Sequence, residues 1–107
     1  MKKDKALSLV DSLVLKGICH RGLYNDIYPE NSLGAFNNAI THNLAFELDI
    51  HLTLDGYLVV CHDSNLLRVT GKDGIIEELT LRKIKEEYKL LDGSEIPTLE
   101  EVIDLNQ

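Results

Sequence analysis

At 107 residues, with 44% hydrophobic and 27% charged side chains, the chain has ordinary globular composition and enough length for one small domain with a core. Its net charge of −7 and pI near 4.9 argue against sequence-independent nucleic-acid binding, which needs a basic face, but leave room for a small phosphate ester beside a bound cation. No run approaches the ~20 apolar residues of a membrane-spanning helix, and Cys19 and Cys61 read as free, buried thiols because the composition is not that of a disulfide-stapled scaffold.

Residues 1–16 read as a leader. Three lysines precede a mostly apolar stretch from Ala6 to Leu15. Asp11 interrupts it and no small-residue cleavage site follows, so an amphipathic helix and a cytoplasmic location are expected rather than a signal peptide. The domain proper is then 17–107. Lys16 to Gly22 reads as a short buried strand ending in His20-Arg21-Gly22, followed by a loop to Glu30 with Pro29 as a breaker. Asn31 and Ser32 are helix-capping types. Leu33, Phe36, Ile40 and Leu44 fall at helical spacing, which predicts a helix over 33–42 closed by Asn43 in a left-handed conformation.

Ala45 to Thr53 alternates, with Phe46, Leu48, Ile50 and Leu52 on one face and Glu47, Asp49, His51 and Thr53 on the other. Asp55-Gly56 is a two-residue hairpin signal. A turn centred there sets Asp49 across from His62, and Tyr57 to His62 becomes the next buried strand. The hairpin conflicts with an all-parallel reading, since a parallel crossover needs about a dozen residues and usually a helix. Residues 64–74 look irregular. Thr80 to Leu90 reads as a charged surface helix, Asp92-Gly93 as a turn, and Thr98 as the cap of a last helix with Glu100 and Glu101 in its first turn.

Four groups could do chemistry. Glu47 and Asp49, at i and i+2 on one strand face, offer two oxygen ligands of the kind Mg²⁺ or Ca²⁺ takes, although an exposed sheet face also carries alternating charges routinely. His20 and His62 each end a buried strand, where barrel enzymes put catalytic groups. One could protonate a leaving oxygen while the other takes a proton. Arg21 could hold a phosphate in a bidentate fork. His51 shares the face of the carboxylates but lies farther along and is left out. His42 reads as a favourable charge at a helix C-terminus.

In order, His20-Arg21-Gly22, Pro29-Glu30-Asn31-Ser32 with Ala35-Phe36, Glu47-Leu48-Asp49-Ile50, Leu52-Thr53 with Asp55-Gly56, Val59-Val60 with His62-Asp63, Leu79-Thr80-Leu81 and Ile96 to Val102 resemble the glycerophosphodiester phosphodiesterase family over residues 17–105. The resemblance implies an α/β fold, the N-terminal strands of a (β/α)₈ TIM-type barrel. It implies hydrolysis of glycerophosphodiesters to an alcohol and sn-glycerol 3-phosphate, with the adjacent glycerol hydroxyl attacking phosphorus first. By the same resemblance Glu47 and Asp49 bind a divalent cation, Mg²⁺ or Ca²⁺. His20 and His62 are the acid–base pair, Arg21 contacts the phosphate, and Glu30 supports the site. Family barrels run to about 250 residues. Their third metal carboxylate and phosphate-facing lysine come from a later strand with no counterpart here. This chain is therefore expected to be inactive alone and to self-associate through unpaired sheet edges. The alternatives are a non-catalytic association module of the same fold and a related lysophospholipid phosphodiesterase.

Overall fold

The computed structural model describes residues 18–105, so the expected leader lies outside the described residues. Strand β1 (Ile18–Cys19) pairs in parallel with β2 (Ala45–Phe46), Ile18 opposite Ala45 and Cys19 opposite Phe46. The crossover between them carries helix α1 (Leu33–Thr41). Its start is fixed by Ser32, whose Oγ accepts the Ala35 N–H at 3.1 Å, a cap worth about 1 kcal/mol. Asn43 adopts the expected left-handed backbone, φ 56°. His42 sits at the C-cap with Nδ1 2.8 Å from the Asn38 carbonyl, the helix-end role its position suggested.

The predicted single strand 45–53 divides. Its first part ladders with β1, extended by the Glu47 N–H donating to Cys19 C=O at 2.9 Å. Its last part, β3 (Ile50–Leu52), pairs antiparallel with β4 (Leu58–Val60). Residues 47–49 are the crossing point between two different partners, and a segment that changes partners does not keep one flat face. The consequence is visible in burial. Phe46 and Leu48 pack against a core cluster, whereas Ile50 and Leu52, expected inside, are 45% and 52% exposed, and Thr53, expected outside, is buried.

The hairpin register also differs from the expected one by a residue. Ile50 faces Val60 and Leu52 faces Leu58, so Asp49 faces Cys61, whose N–H donates to Asp49 C=O at 2.9 Å. The cause is loop length. The Thr53 N–H donates to Tyr57 C=O and the Gly56 N–H to Thr53 C=O, with Gly56 at φ 87°. This is a three-residue loop over 54–56, a turn completed by a left-handed glycine, in place of the two-residue loop that Asp-Gly alone suggests. Asp55 Oδ1 accepts the Leu81 N–H at 3.0 Å, which ties the hairpin tip to the start of the next long helix.

Beyond β4 the chain forms a short helix α2 (Leu67–Thr70), a 3₁₀ turn (Ile76–Glu78), α3 (Leu81–Glu87) and α4 (Leu99–Asp104). Thus the stretch read as irregular contains one helical turn. The helix predicted to Leu90 stops at Glu87, because Tyr88 turns extended at φ −118° and Tyr88 and Leu90 enter the core. Thr80 caps α3, and Thr98 forms a capping box with Glu101 on α4. The core lies on both faces of β4. Val59 packs with Cys61, Leu66, Ile76 and Ile84 on one side, and Val60 with Phe36 and Val102 on the other. That double burial fits the apolar run from Val59 to Cys61, whereas Tyr57 and Leu58, read as part of the same buried strand, are 53% and 40% exposed. Among the described residues no helix is long and apolar enough to cross a membrane.

Two measurements test these features. A Cβ on Gly56 would meet nothing within 4 Å, so Gly56→Ala should cost only the left-handed backbone term, about 1–2 kcal/mol in urea unfolding, and Gly56→Asn should cost less. Both cysteines are free and Cys61 is buried, its thiol pushed up to about 11 chiefly by burial. In the native chain at mild alkaline pH, iodoacetamide should label Cys19 first and Cys61 after unfolding. Equal rates would contradict the placement of Cys61 in the core.

Candidate active site

The site is built on a strand end. After β1 the Gly22 N–H donates to Cys19 C=O at 3.1 Å, closing a tight turn in which Arg21 (φ 60°) and Gly22 (φ 84°) are both left-handed. The turn lies hard against α1: a Cβ on Gly22 would come within 2.9 Å of the Ala35 methyl, so only glycine fits. This geometry aims the Arg21 N–H at Glu47 Oε1 (3.2 Å) and brings His20 Nε2 to 3.9 Å from Glu47 Oε2. The parallel β1–β2 pairing thus sets the first histidine beside the first carboxylate.

Arg21 then turns inward. Its Nη1 donates to Glu30 Oε2 at 3.0 Å, and its Nε lies 3.9 Å from Asp49 Oδ2, buried and without a hydrogen-bond partner among the described residues. Glu30 accepts a second guanidinium: Arg68 Nη1 reaches Oε1 at 2.7 Å and Nη2 reaches Oε2 at 2.9 Å. The remaining edge of Arg68 holds Asp63, Nε to Oδ2 at 2.8 Å and Nη2 to Oδ1 at 3.3 Å. The hydrogen bonds from Arg68 lead in holding the Glu30 carboxyl below its usual range against the opposing effect of burial. They also lead, with a contribution from His62, in bringing Asp63 down to about 2.

Asp63 orients the second histidine. His62 Nδ1 lies 2.7 Å from Asp63 Oδ1. A carboxylate with that low a pKa accepts and does not donate, so Nδ1 carries the proton and Nε2 is left to exchange one. The His62 carbonyl lies 3.0 Å from His51 Nε2, and His51 Nδ1 lies 2.9 Å from Glu77 Oε2. His51, left out on sequence grounds, therefore braces the backbone of His62.

The six residues singled out in the sequence are linked by one polar network: His20 to Glu47 to Arg21, Arg21 to Asp49 and to Glu30, and Glu30 through Arg68 and Asp63 to His62. The expected direct opposition of Asp49 and His62 gives way to opposition of Asp49 and Cys61. Glu47 and Asp49 are oxygen donors, which suits a hard cation in kind. In number they fall short, for among the described residues no three His, Cys, Asp or Glu side chains gather as a metal-holding group. Sequence reasoning missed Asp63 and Arg68 as parts of the network, and Asn31, whose Nδ2 donates to Asp49 Oδ2 at 3.2 Å. Arg68 lies in the stretch read as irregular, 38 positions from Glu30, and no local pattern pointed to it. Asn31 looked like a helix cap, a role that Ser32 fills.

A parallel strand pair with a histidine, an arginine and carboxylates gathered at its ends is compatible with the start of an α/β barrel, a fold that carries its functional groups at one mouth. The chain belongs to the glycerophosphoryl diester phosphodiesterase family, which it matches over residues 20–107. It is 40% identical over 99 residues to a glycerophosphodiester phosphodiesterase of Caldanaerobacter subterraneus subsp. tengcongensis, covering 82% of this chain and 39% of that one. Among solved structures, a glycerophosphodiester phosphodiesterase of Thermotoga maritima superposes with a TM-score of 0.69 at 43% identity, over 81% of this chain and 37% of its own. An Oleispira antarctica phosphodiesterase in complex with the product sn-glycerol-3-phosphate does so with 0.71 at 34%, over 82% and 38%. The fold is thus the N-terminal part of a TIM-type barrel, and the chain spans about two-fifths of the length of these relatives.

Replacing Arg68 by Met should raise the Asp63 titration from about 2 toward its ordinary 3.8, readable by carboxyl-carbon NMR. The sign for stability follows from linkage. A depressed carboxylate contributes stability that is present above its unfolded pKa and lost as pH falls through the folded one. Between about pH 4 and 2 the wild-type chain should therefore lose stability more steeply than Arg68→Met. Matching acid transitions would remove Arg68 from Asp63.

Proposed function

We propose that this chain supplies the first half of a site that hydrolyses glycerophosphodiesters to an alcohol and sn-glycerol 3-phosphate. The observation that carries the reading is the continuous network from His20 to His62 through Arg21, Glu30, Arg68 and Asp63, in a chain of a family named for that reaction. Arg21 stabilises the phosphate charge. His20 and His62 share the proton traffic: one takes the proton of the attacking glycerol hydroxyl, the other donates to the departing alkoxide, and the roles reverse when water opens the cyclic ester. Asp63 keeps the proton of His62 on Nδ1, so its Nε2 is the exchanging atom. The family generally depends on a divalent cation. Mg²⁺ or Ca²⁺ would be held by Glu47 and Asp49, with further ligands from the rest of the barrel, and would neutralise charge developing on the phosphoryl oxygens. Two free thiols favour a reducing, cytoplasmic setting. Ile50, Leu52 and Leu58, exposed on one hairpin, support self-association when the chain is alone.

The test has two arms. The isolated chain should turn over glycerophosphocholine negligibly with Mg²⁺ or Ca²⁺, since two carboxylates leave a hard cation mostly hydrated and poorly positioned. A chimera joining residues 18–105 to the remaining barrel of the Thermotoga maritima relative should be active. In it His20→Ala and His62→Ala should each lower kcat by about 10²–10⁴. A folded chimera without activity would overturn the reading. An isolated chain active within about tenfold of the chimera would overturn the view that the site is incomplete.

A further inference from the structure

We propose that Asn31 is a positioning residue of this site, its side-chain amide holding the Asp49 carboxylate in one orientation. The inference rests on the proposed role of Asp49. Asn31 is 3% exposed and has a left-handed backbone, φ 53°, a conformation that asparagine tolerates better than most L-residues. Its N–H donates to Arg21 C=O at 2.8 Å, and its Nδ2 donates to Asp49 Oδ2 at 3.2 Å. An ionised carboxylate only accepts, so the amide must face Asp49 with its nitrogen.

That orientation leaves Asn31 Oδ1 buried with no hydrogen-bond partner among the described residues. Asn31 also lines, with Glu30, Cys61 and His62, a crevice too tight for a water molecule. A buried acceptor left unpaired carries the full desolvation penalty of that group. A purely structural asparagine at the head of a helix would spend its oxygen on the helix N–H groups, yet Ser32 makes that cap. What the side chain does instead is grip Asp49, whose carboxylate among the described residues otherwise has a guanidinium nitrogen at 3.9 Å. A carboxylate that can rotate is a poor ligand, and residues that orient a ligand are typically worth 10–100-fold in metal affinity.

The test uses the whole 107-residue chain and Mn²⁺ alone as the probe. Asn31→Gly keeps the left-handed backbone and its N–H and removes the side chain. Asn31→Ala keeps the Cβ and removes the donor without adding a charge. In the wild type, three-bond couplings should give Asp49 one χ1 rotamer, and both variants should average it. Mn²⁺ affinity, read from paramagnetic broadening at residues 47–49, should fall about 10–100-fold, with the amide-proton protection of the β3–β4 hairpin unchanged. One retained rotamer for Asp49 in either folded variant would overturn the proposal. So would averaging with unchanged Mn²⁺ affinity. If the wild type shows no broadening at 47–49 while the variants still average the rotamer, the positioning by Asn31 stands and the cation reading of Asp49 fails.

Discussion

One carboxylate organises the site. Glu30 sits between two guanidinium groups, Arg21 from the end of the first strand and Arg68 from the helical turn after the fourth. These residues lie 9 and 38 positions from it in sequence. The side chains that could act on a substrate stand on turns rather than inside strands, so ladder hydrogen bonds alone do not hold them. Charge-assisted, partly bidentate pairs with fixed fork geometry do. The half-buried setting gives such pairs more weight than surface ion pairs have. It also makes them unforgiving, because removing one partner leaves the others charged and partly desolvated.

A second constraint is the backbone beneath that network. Arg21 and Asn31 are both left-handed, and each would cost about a kilocalorie per mole or more alone. The hydrogen bond from the Asn31 N–H to the Arg21 carbonyl joins the two strained residues to each other. The conformation that turns the Arg21 N–H toward Glu47 is thereby held from the helix side. Strain of this kind, concentrated where polar groups meet, is what a preorganised site requires.

Local chemistry made much of this readable. The N-cap of α1, the left-handed Asn43, the presence of a turn at Asp55-Gly56 and the Thr98 cap depend on a few adjacent residues and agree with the structure. The motif order led to six residues that the structure links in one polar network. What sequence could not provide was the choice of partner. Alternation over 45–53 says that the backbone is extended, not that it leaves β1 for β4 halfway, so Ile50 and Leu52 came out on the wrong side. The register slip has an equally small origin, since Asp-Gly is compatible with a loop of two residues or three and Leu54 decides by joining the loop. Arg68 was hidden because a salt bridge across 38 positions has no local period.

The central position of β4 has a bearing on how the molecule comes together. Its two inner residues face different core clusters. Its hydrogen-bond partners lie on β3, a short hairpin away, and at Pro97, whose carbonyl accepts the Val60 N–H at 2.8 Å. Closing the hairpin fixes a three-residue loop, whereas closing the second contact fixes a far longer one, and loop-closure entropy grows with that length. The short contact is therefore available early and the long one late, with the helices between them condensing as it forms. The strand that bridges both cores acts as the assembly's template: the last part to be fully enclosed is also the part on which everything else is laid down.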